Sequence, residues 1–311
     1  MQSYFKVNEK TNISQAQTMA AYLGGSAFQT VVDNPITAYR QLVQQYAKNL
    51  DGKIVDPKIA TSEASAVFRT YPIGASLSGL GPRLVGVGFK RIPKFGFLLG
   101  YSFISSNNGK PGMYAATFAS IASAPFINPV RMIEKQQRAY FKQTGQTKSI
   151  LSILQEARAK KFRPLFRGTI PLMGHSLASA TLGLVGQPQL EQYIKESLAD
   201  SNVPGSQNQF IRGLMASSAV TPFYVILTNP ISRLEVIMQT SSIKKKPISL
   251  VSACKELLND SKSFGLRGIF RGQGIGMAKG IISLTMFHQG RLFLMDNFKD
   301  YNSYNINFGE V

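Results

Sequence analysis

The chain has no tryptophan, one cysteine and two histidines in 311 residues. A lone cysteine, Cys254, excludes an internal disulfide, and the shortage of Cys and His excludes a zinc site. Cys254 is expected to be a small buried apolar residue. Acidic residues are scarce too: 16 Asp and Glu stand against 35 Lys and Arg, a formal net charge of +19. Such an excess points to an anionic partner, whether nucleic acid, a membrane surface or a solute. The basic residues are scattered rather than gathered into a tail, which argues against nucleic acid. No nucleophile elbow, P-loop or dinucleotide fingerprint occurs, and His175 and His288 lie far apart, so an enzyme is not expected.

An uninterrupted run of ~18 apolar residues, the mark of a simple membrane span, is also missing. Mean hydropathy is near zero. Two readings remain: a soluble helical protein, or membrane helices with one polar face lining a wet cavity. The opening residues, MQSYFKVNEKTN, lack the apolar core of a signal peptide and the Arg- and Ser-rich pattern of a transit peptide. Any organelle address is expected to be internal.

What is present is a repeat. Asn-Pro followed by Ile or Val occurs at Asn34-Pro35-Ile36, Asn128-Pro129-Val130 and Asn229-Pro230-Ile231. Each follows a stretch rich in small and apolar residues and precedes a polar amphipathic one. A helix running through such a dipeptide is expected to kink, because proline has no N–H and crowds the preceding turn. A second element recurs downstream: Phe166-Arg167-Gly168 aligns with Phe270-Arg271-Gly272, with a weaker counterpart at Ser78-Gly79. Short amphipathic segments lie between, near Thr61–Thr70, Ser149–Ala159 and Ile248–Leu258.

The unit is a long kinked helix, a loop, a short surface helix and a second long helix, used three times. Long helices are predicted over 13–46, 80–105, 112–143, 168–198, 207–240 and 273–300, with loops at 47–60, 106–111, 144–148, 199–206 and 241–247. This divides the chain into a tail (1–12), repeats at 13–106, 107–200 and 201–300, and a second tail (301–311). Small residues at four-residue spacing (Gly272, Gly276 and Gly280; Ala115 and Ala119; Gly213 and Ser217) fit close helix approach in a bilayer, or tight packing in a soluble bundle. Lys244, Lys245 and Lys246 read as a solvated loop near anionic headgroups.

These elements resemble the signature of the mitochondrial carrier family: Pro-x-acidic-x-x-basic closing each odd helix, then aromatic-basic-Gly before each even one. The resemblance covers about residues 12–300. It implies an all-α, six-transmembrane-helix pseudo-threefold barrel with three short matrix-side surface helices, multi-pass in the mitochondrial inner membrane. Pro35, Pro129 and Pro230 would be the helix kinks. Gly79, Gly168 and Gly272, with Arg167 and Arg271, would mark cardiolipin sites, since free N–H groups at a helix start attract phosphate. No cofactor is implied beyond that lipid.

The sequence departs from the family at the gate. Where an acid is expected it holds Thr37, Arg131 and Ser232; where a base is expected it holds Arg40, Glu134 and Glu235. In the family's cyclic order these pair as Thr37 with Glu134, Arg131 with Glu235 and Ser232 with Arg40. One ion pair survives with reversed polarity. The other two could be hydrogen bonds from a hydroxyl to a charge, worth ~1.5–3 kcal/mol. The bracing glutamine remains as Gln44 and Gln239 and becomes Arg138 in the second repeat. The second, cytoplasmic-side network is missing: Leu99 and Ser102, Pro188 and Glu191, and Leu292 and Met295 occupy its positions, while Asp296 and Lys299 read as a surface contact.

The family's solute contact points fall on Gly86, on His175 with Ser176, and on Lys279. Lys90 and Lys94 share the Gly86 face, and Arg83 could join them. If that face is inward, the cavity suits a carboxylate or phosphate; otherwise Lys90, Arg91 and Lys94 meet headgroups or a partner protein. His175 alone reads more readily as a packing residue than as a ligand, and Lys279 is the strongest candidate. The implied function is transport of a small anionic metabolite by alternating access with altered gating. The rival is a non-transporting carrier-fold subunit of a large inner-membrane assembly, such as a respiratory complex.

Overall fold

A computed structural model describes residues 15–46, 54–104, 113–182, 209–240 and 248–286, with isolated positions beyond. The fold is all-α. In chain order the helices are α1 (Gln15–Gln45), α2 (Pro57–Thr70), α3 (Pro72–Leu77), α4 (Leu80–Ile104), α5 (Met113–Ala122), α6 (Ala124–Thr144), α7 (Ile150–Arg158), α8 (Thr169–Thr181), α9 (Gln209–Thr240), α10 (Leu250–Phe264), α11 (Leu266–Ile269) and α12 (273–286), with a 3-10 turn at Arg163–Phe166.

The short surface helices start where the sequence supplies caps. Ser149 and Ser249 each accept the backbone N–H three residues on, at 3.1 Å. Asp56 accepts from the Lys58 N–H at 2.7 Å, with Pro57 as the first helical residue. These side chains satisfy N–H groups that a helix start leaves without partners. At the other end of α6, Gly145 takes the left-handed conformation (φ 70°) and closes the helix onto the Phe141 carbonyl at 2.8 Å.

Three expectations are corrected. The helix predicted over 112–143 is two, α5 and α6, interrupted at Ser123. Pro125 brings no N–H to the ladder there, and the Ser123 hydroxyl turns back to the Ser120 carbonyl at 2.9 Å. The helix expected to begin near 61 starts at Pro57, inside a predicted loop. Cys254 is partly exposed, because α10 turns Ala253 rather than its neighbour into the core. The outer ends of the helices predicted over 168–198 and 273–300, the loop lysines 244–246 and the second gate positions Pro188, Glu191, Leu292 and Met295 lie outside the described residues, as do the side chains of Leu99 and Ser102 in α4.

Helices adjacent in the chain pack against each other. α4 lies on α1 and α6, α8 on α5, α6 and α9, and α9 returns to α1 and α6. α12 comes back beside α9 and α1: a Cβ on Gly280 would stand 2.7 Å from Thr221, and one on Gly276 3.2 Å from Arg40. Ile275 joins Leu42, Val43 and Ala64 in an apolar cluster between α1 and α2, and Met132, Ile133, Ile153 and Ala157 form its counterpart between α6 and α7. Each fully buried aliphatic side chain contributes roughly 1.5–3 kcal/mol.

Polar side chains are buried beside the apolar clusters, and several large apolar ones face outward. Asn34, Asn128, Arg138, Asn229 and Glu235 are buried, whereas Phe118, Phe126, Phe223 and Ile170 are half or more exposed. Among the described residues one helix, Ile211–Thr240, is long and apolar enough by length and composition to cross a membrane.

Candidate functional site

The inward faces of α1, α4, α6, α8, α9 and α12 enclose a cavity of about 290 Å³. Its walls hold the sequence candidates Gly86, Lys90, His175, Ser176 and Lys279 together. The side chain of Lys94 lies outside the described residues. The floor holds Thr37, Arg40, Gln44, Arg131, Glu134, Ser232 and Glu235.

Repetition at the floor is visible in the backbone. Gly79, Gly168 and Gly272 all adopt left-handed φ, at 72°, 77° and 75°. Each sits against the helix of another repeat: a Cβ on Gly79 would meet Glu134 at 3.0 Å, one on Gly168 Gln239 at 3.2 Å, and one on Gly272 Arg40 at 3.6 Å. An L-residue in that region crowds its own carbonyl, so all three positions favour glycine, and at Gly79 and Gly168 the close neighbour adds a second reason.

Beside each glycine, the asparagine of Asn-Pro forms a joint that the sequence reading did not foresee. Its amide N–H₂ binds carbonyls of its own repeat. Asn34 reaches Ser76 at 2.5 Å, Asn128 reaches Leu165 and Arg167 at 3.1 Å each, and Asn229 reaches Ile269 at 3.4 Å. Its oxygen accepts from a different repeat: Arg138 to Asn34 at 3.0 Å, Gln239 to Asn128 at 2.6 Å, and Arg40 to Asn229 at 2.6 Å. Arg138 and Gln239 are the bracing positions and both brace asparagines, while Arg138 also pairs with Glu134. Gln44, the third, leaves its Nε2 without a hydrogen-bond partner.

Of the three expected gate pairs, Arg131–Glu235 is present, with Nη1 to Oε2 at 3.2 Å. Glu235 is shared with Lys135 at 2.8 Å, a buried residue absent from the sequence candidates. The Thr37–Glu134 bond is not formed: the Thr37 hydroxyl has no partner, and Glu134 is taken by Arg138 at 2.5 Å and Gln41 at 3.2 Å. The Ser232–Arg40 bond is not formed either, because Arg40 reaches one turn further back to Asn229. In both cases a longer side chain with a stronger acceptor or donor outcompetes a short hydroxyl.

Higher on the wall, Arg83 donates to Asp33 at 2.6 Å and to Asn34 at 2.9 Å, and the Ser283 hydroxyl donates to the other Asp33 oxygen. Arg83 therefore lines the cavity with its charge already neutralised. His175 is woven into the wall: Nδ1 lies 3.3 Å from the Ser179 hydroxyl and Nε2 3.4 Å from the Tyr224 hydroxyl. Lys279 faces the cavity with no hydrogen bond or ion pair among the described residues. In all, six cationic side chains (Arg40, Arg83, Lys90, Arg131, Lys135 and Lys279) line the space against three carboxylates, Asp33, Glu134 and Glu235. The surplus favours an anionic guest. Among the described residues no cluster of His, Cys, Asp and Glu gathers as a metal site would.

The glycine-arginine elements behave unequally. The Arg271 guanidinium is turned inward onto Asp260 at 2.9 Å and the Val55 carbonyl at 2.8 Å, so it is not presented to a headgroup as expected. Asp260 also binds Arg233 at 2.5 Å, and this carboxylate is what draws both guanidinia inward. Arg167 is buried as well, and its carbonyl accepts from Asn128 and Gln239.

No known family model matches this chain, and no curated protein matches it in sequence.

Proposed function

We propose that the chain is a divergent carrier of the mitochondrial type: a six-span pseudo-threefold barrel in the inner mitochondrial membrane that moves a small anionic metabolite by alternating access. The observation that carries this reading is Lys279, which has no hydrogen bond or direct ion pair among the described residues and faces a cavity whose other cations outnumber its carboxylates. The counter-charge it senses, Asp33, is already held by Arg83 and Ser283, which leaves the amine for a solvated or anionic partner. The recurrence of Asn-Pro, left-handed glycine and capped surface helix supports the threefold arrangement. Outward Phe118, Phe126 and Phe223 support a lipid-facing exterior, where no hydration is lost by exposing them.

Alternating access needs two closed states of similar free energy, tipped by the solute. Of the expected gate pairs only Arg131–Glu235, joined by Lys135, remains, and the other two seams are fastened by guanidinium-to-asparagine bonds from Arg138 and Arg40. That loss favours a second reading, in which the fold is kept as a non-transporting subunit of a larger inner-membrane assembly.

The test is uptake of labelled phosphate and of di- and tricarboxylates by proteoliposomes holding the purified chain. Transport that drops at least tenfold in Lys279→Ala, with the protein still folded, supports the carrier reading. Absence of uptake for every solute, with co-purification in a defined large complex, favours the structural reading.

A further inference from the structure

The strongest unexplained feature is a concentration of unsatisfied polar atoms on one stretch of α1. Thr37 Oγ1, Arg40 Nε, Gln41 Oε1 and Gln44 Nε2 are all buried without hydrogen-bond partners. All four residues line the cavity floor, and Thr37, Arg40 and Gln44 are each less than a tenth exposed. Buried polar groups are nearly always satisfied, so a cluster of unsatisfied ones on four residues that line the same cavity calls for a partner that completes them.

The charge at this place is also unbalanced. Arg40 has no carboxylate within ion-pair distance among the described residues; its partner is the neutral amide of Asn229. Glu235, the acid on the same helix as Asn229, is occupied by Lys135 and Arg131. The position one turn beyond Asn229, where a carboxylate could meet Arg40, is Ser232, and it too lines the floor. A buried guanidinium answered only by a dipole is incompletely compensated.

We infer that a small oxyanion binds at the cavity floor between α1 and α9, where it completes Arg40 and takes the place of the carboxylate that Ser232 does not supply. Arg40 Nε–H, the Gln44 amide and the Thr37 hydroxyl are its donors, and Gln41 is left to orient the Gln44 amide or a hydroxyl of a protonated ligand. The anion is thereby a closing element of the seam between α1 and α9, distinct from the guest of Lys279 on the wall above. The inference rests on the carrier reading of this floor as a gate.

The experiment is thermal unfolding of the purified full-length chain in detergent, followed by circular dichroism, in inorganic phosphate or malonate, with gluconate at equal ionic strength as reference. Wild type is expected to melt ~3 °C higher in saturating phosphate or malonate than in gluconate. Ser232→Glu supplies the carboxylate covalently, so it should melt higher than wild type in gluconate and gain less than half the wild-type rise from either anion, the remainder being the guest of Lys279. Arg40→Gln should lose the response, and Lys279→Ala should keep it. No rise in wild type with either anion, or a full response in Ser232→Glu, overturns the inference. So does a response lost in Lys279→Ala and kept in Arg40→Gln, which assigns the anion to the wall site instead. Should Arg40→Gln not fold, Ser232→Glu decides alone. Transport activity has no part in these readouts, so a failed carrier reading and a failed floor site are told apart.

Discussion

Gln239 donates its amide N–H to the side-chain oxygen of Asn128 at 2.6 Å, across 111 residues of chain. The bond crosses from one repeat to the next at full burial, and Asn128 in turn holds the carbonyls around Arg167. Asn128→Ala removes bonds to four partners at once, Leu165, Arg167, Thr169 and Gln239, and should cost ~2–4 kcal/mol, against ~1–2 kcal/mol for Gln239→Ala. Because the two share one bond, the double variant should fall short of the sum. Melting of all three proteins against wild type checks this; strict additivity would show that the bond carries no coupling.

The three left-handed glycines should differ in their tolerance of alanine. All incur the ~1–2 kcal/mol of an L-residue at that φ. Crowding then separates them, since the nearest atom to a new Cβ is at 3.0 Å for Gly79, 3.2 Å for Gly168 and 3.6 Å for Gly272. Gly79→Ala should be the most destabilised and Gly272→Ala the least. The order of melting temperatures is the measurement, and the reverse order would refute the account.

Glu235 holds two cations while nearly fully buried. Glu235→Gln leaves Arg131 and Lys135 facing each other without a counter-charge and should cost ~3–5 kcal/mol. Lys135→Met, which removes one of two competing cations and packs its stem, should cost much less. Equal losses in the two variants would mean that the carboxylate is not the hub of this cluster.

Ser149→Ala and Ser249→Ala remove matching caps from α7 and α10, and each should cost ~1 kcal/mol. Hydrogen exchange should accelerate at the first turn of the affected helix alone. Spread of the effect into α6 or α9 would contradict a local capping role.

The repeat was legible because proline inside a helix, and glycine before one, are rare enough to align by eye. Pro35, Pro129 and Pro230 do lie within helices, and the phenylalanine-arginine-glycine elements do end in left-handed glycines. The surface helices announced themselves through Ser149 and Ser249, whose hydroxyls can act at short range. Hydrogen-bond partners were not legible. Arg40 meets Asn229 across 189 residues, and choosing Asn229 over Ser232 depends on side-chain reach and helix register that no spacing encodes. Lys135 and Asp33 were overlooked for the same reason: each looks like an ordinary polar residue on an amphipathic helix until its neighbour is known. The interruption at Ser123 had a visible cause in Pro125, but the sequence carries Pro129 four residues later and only one of the two breaks the helix.

The three asparagine joints share a backbone plan yet are fastened by unlike hands: a guanidinium from Arg138, an amide from Gln239, and a guanidinium from Arg40 that sits four residues nearer the dipeptide than its counterpart Gln44. A ring assembled this way has no reason to loosen evenly. Load placed on it gathers at the weakest of the three fastenings, so the seams need not give way together.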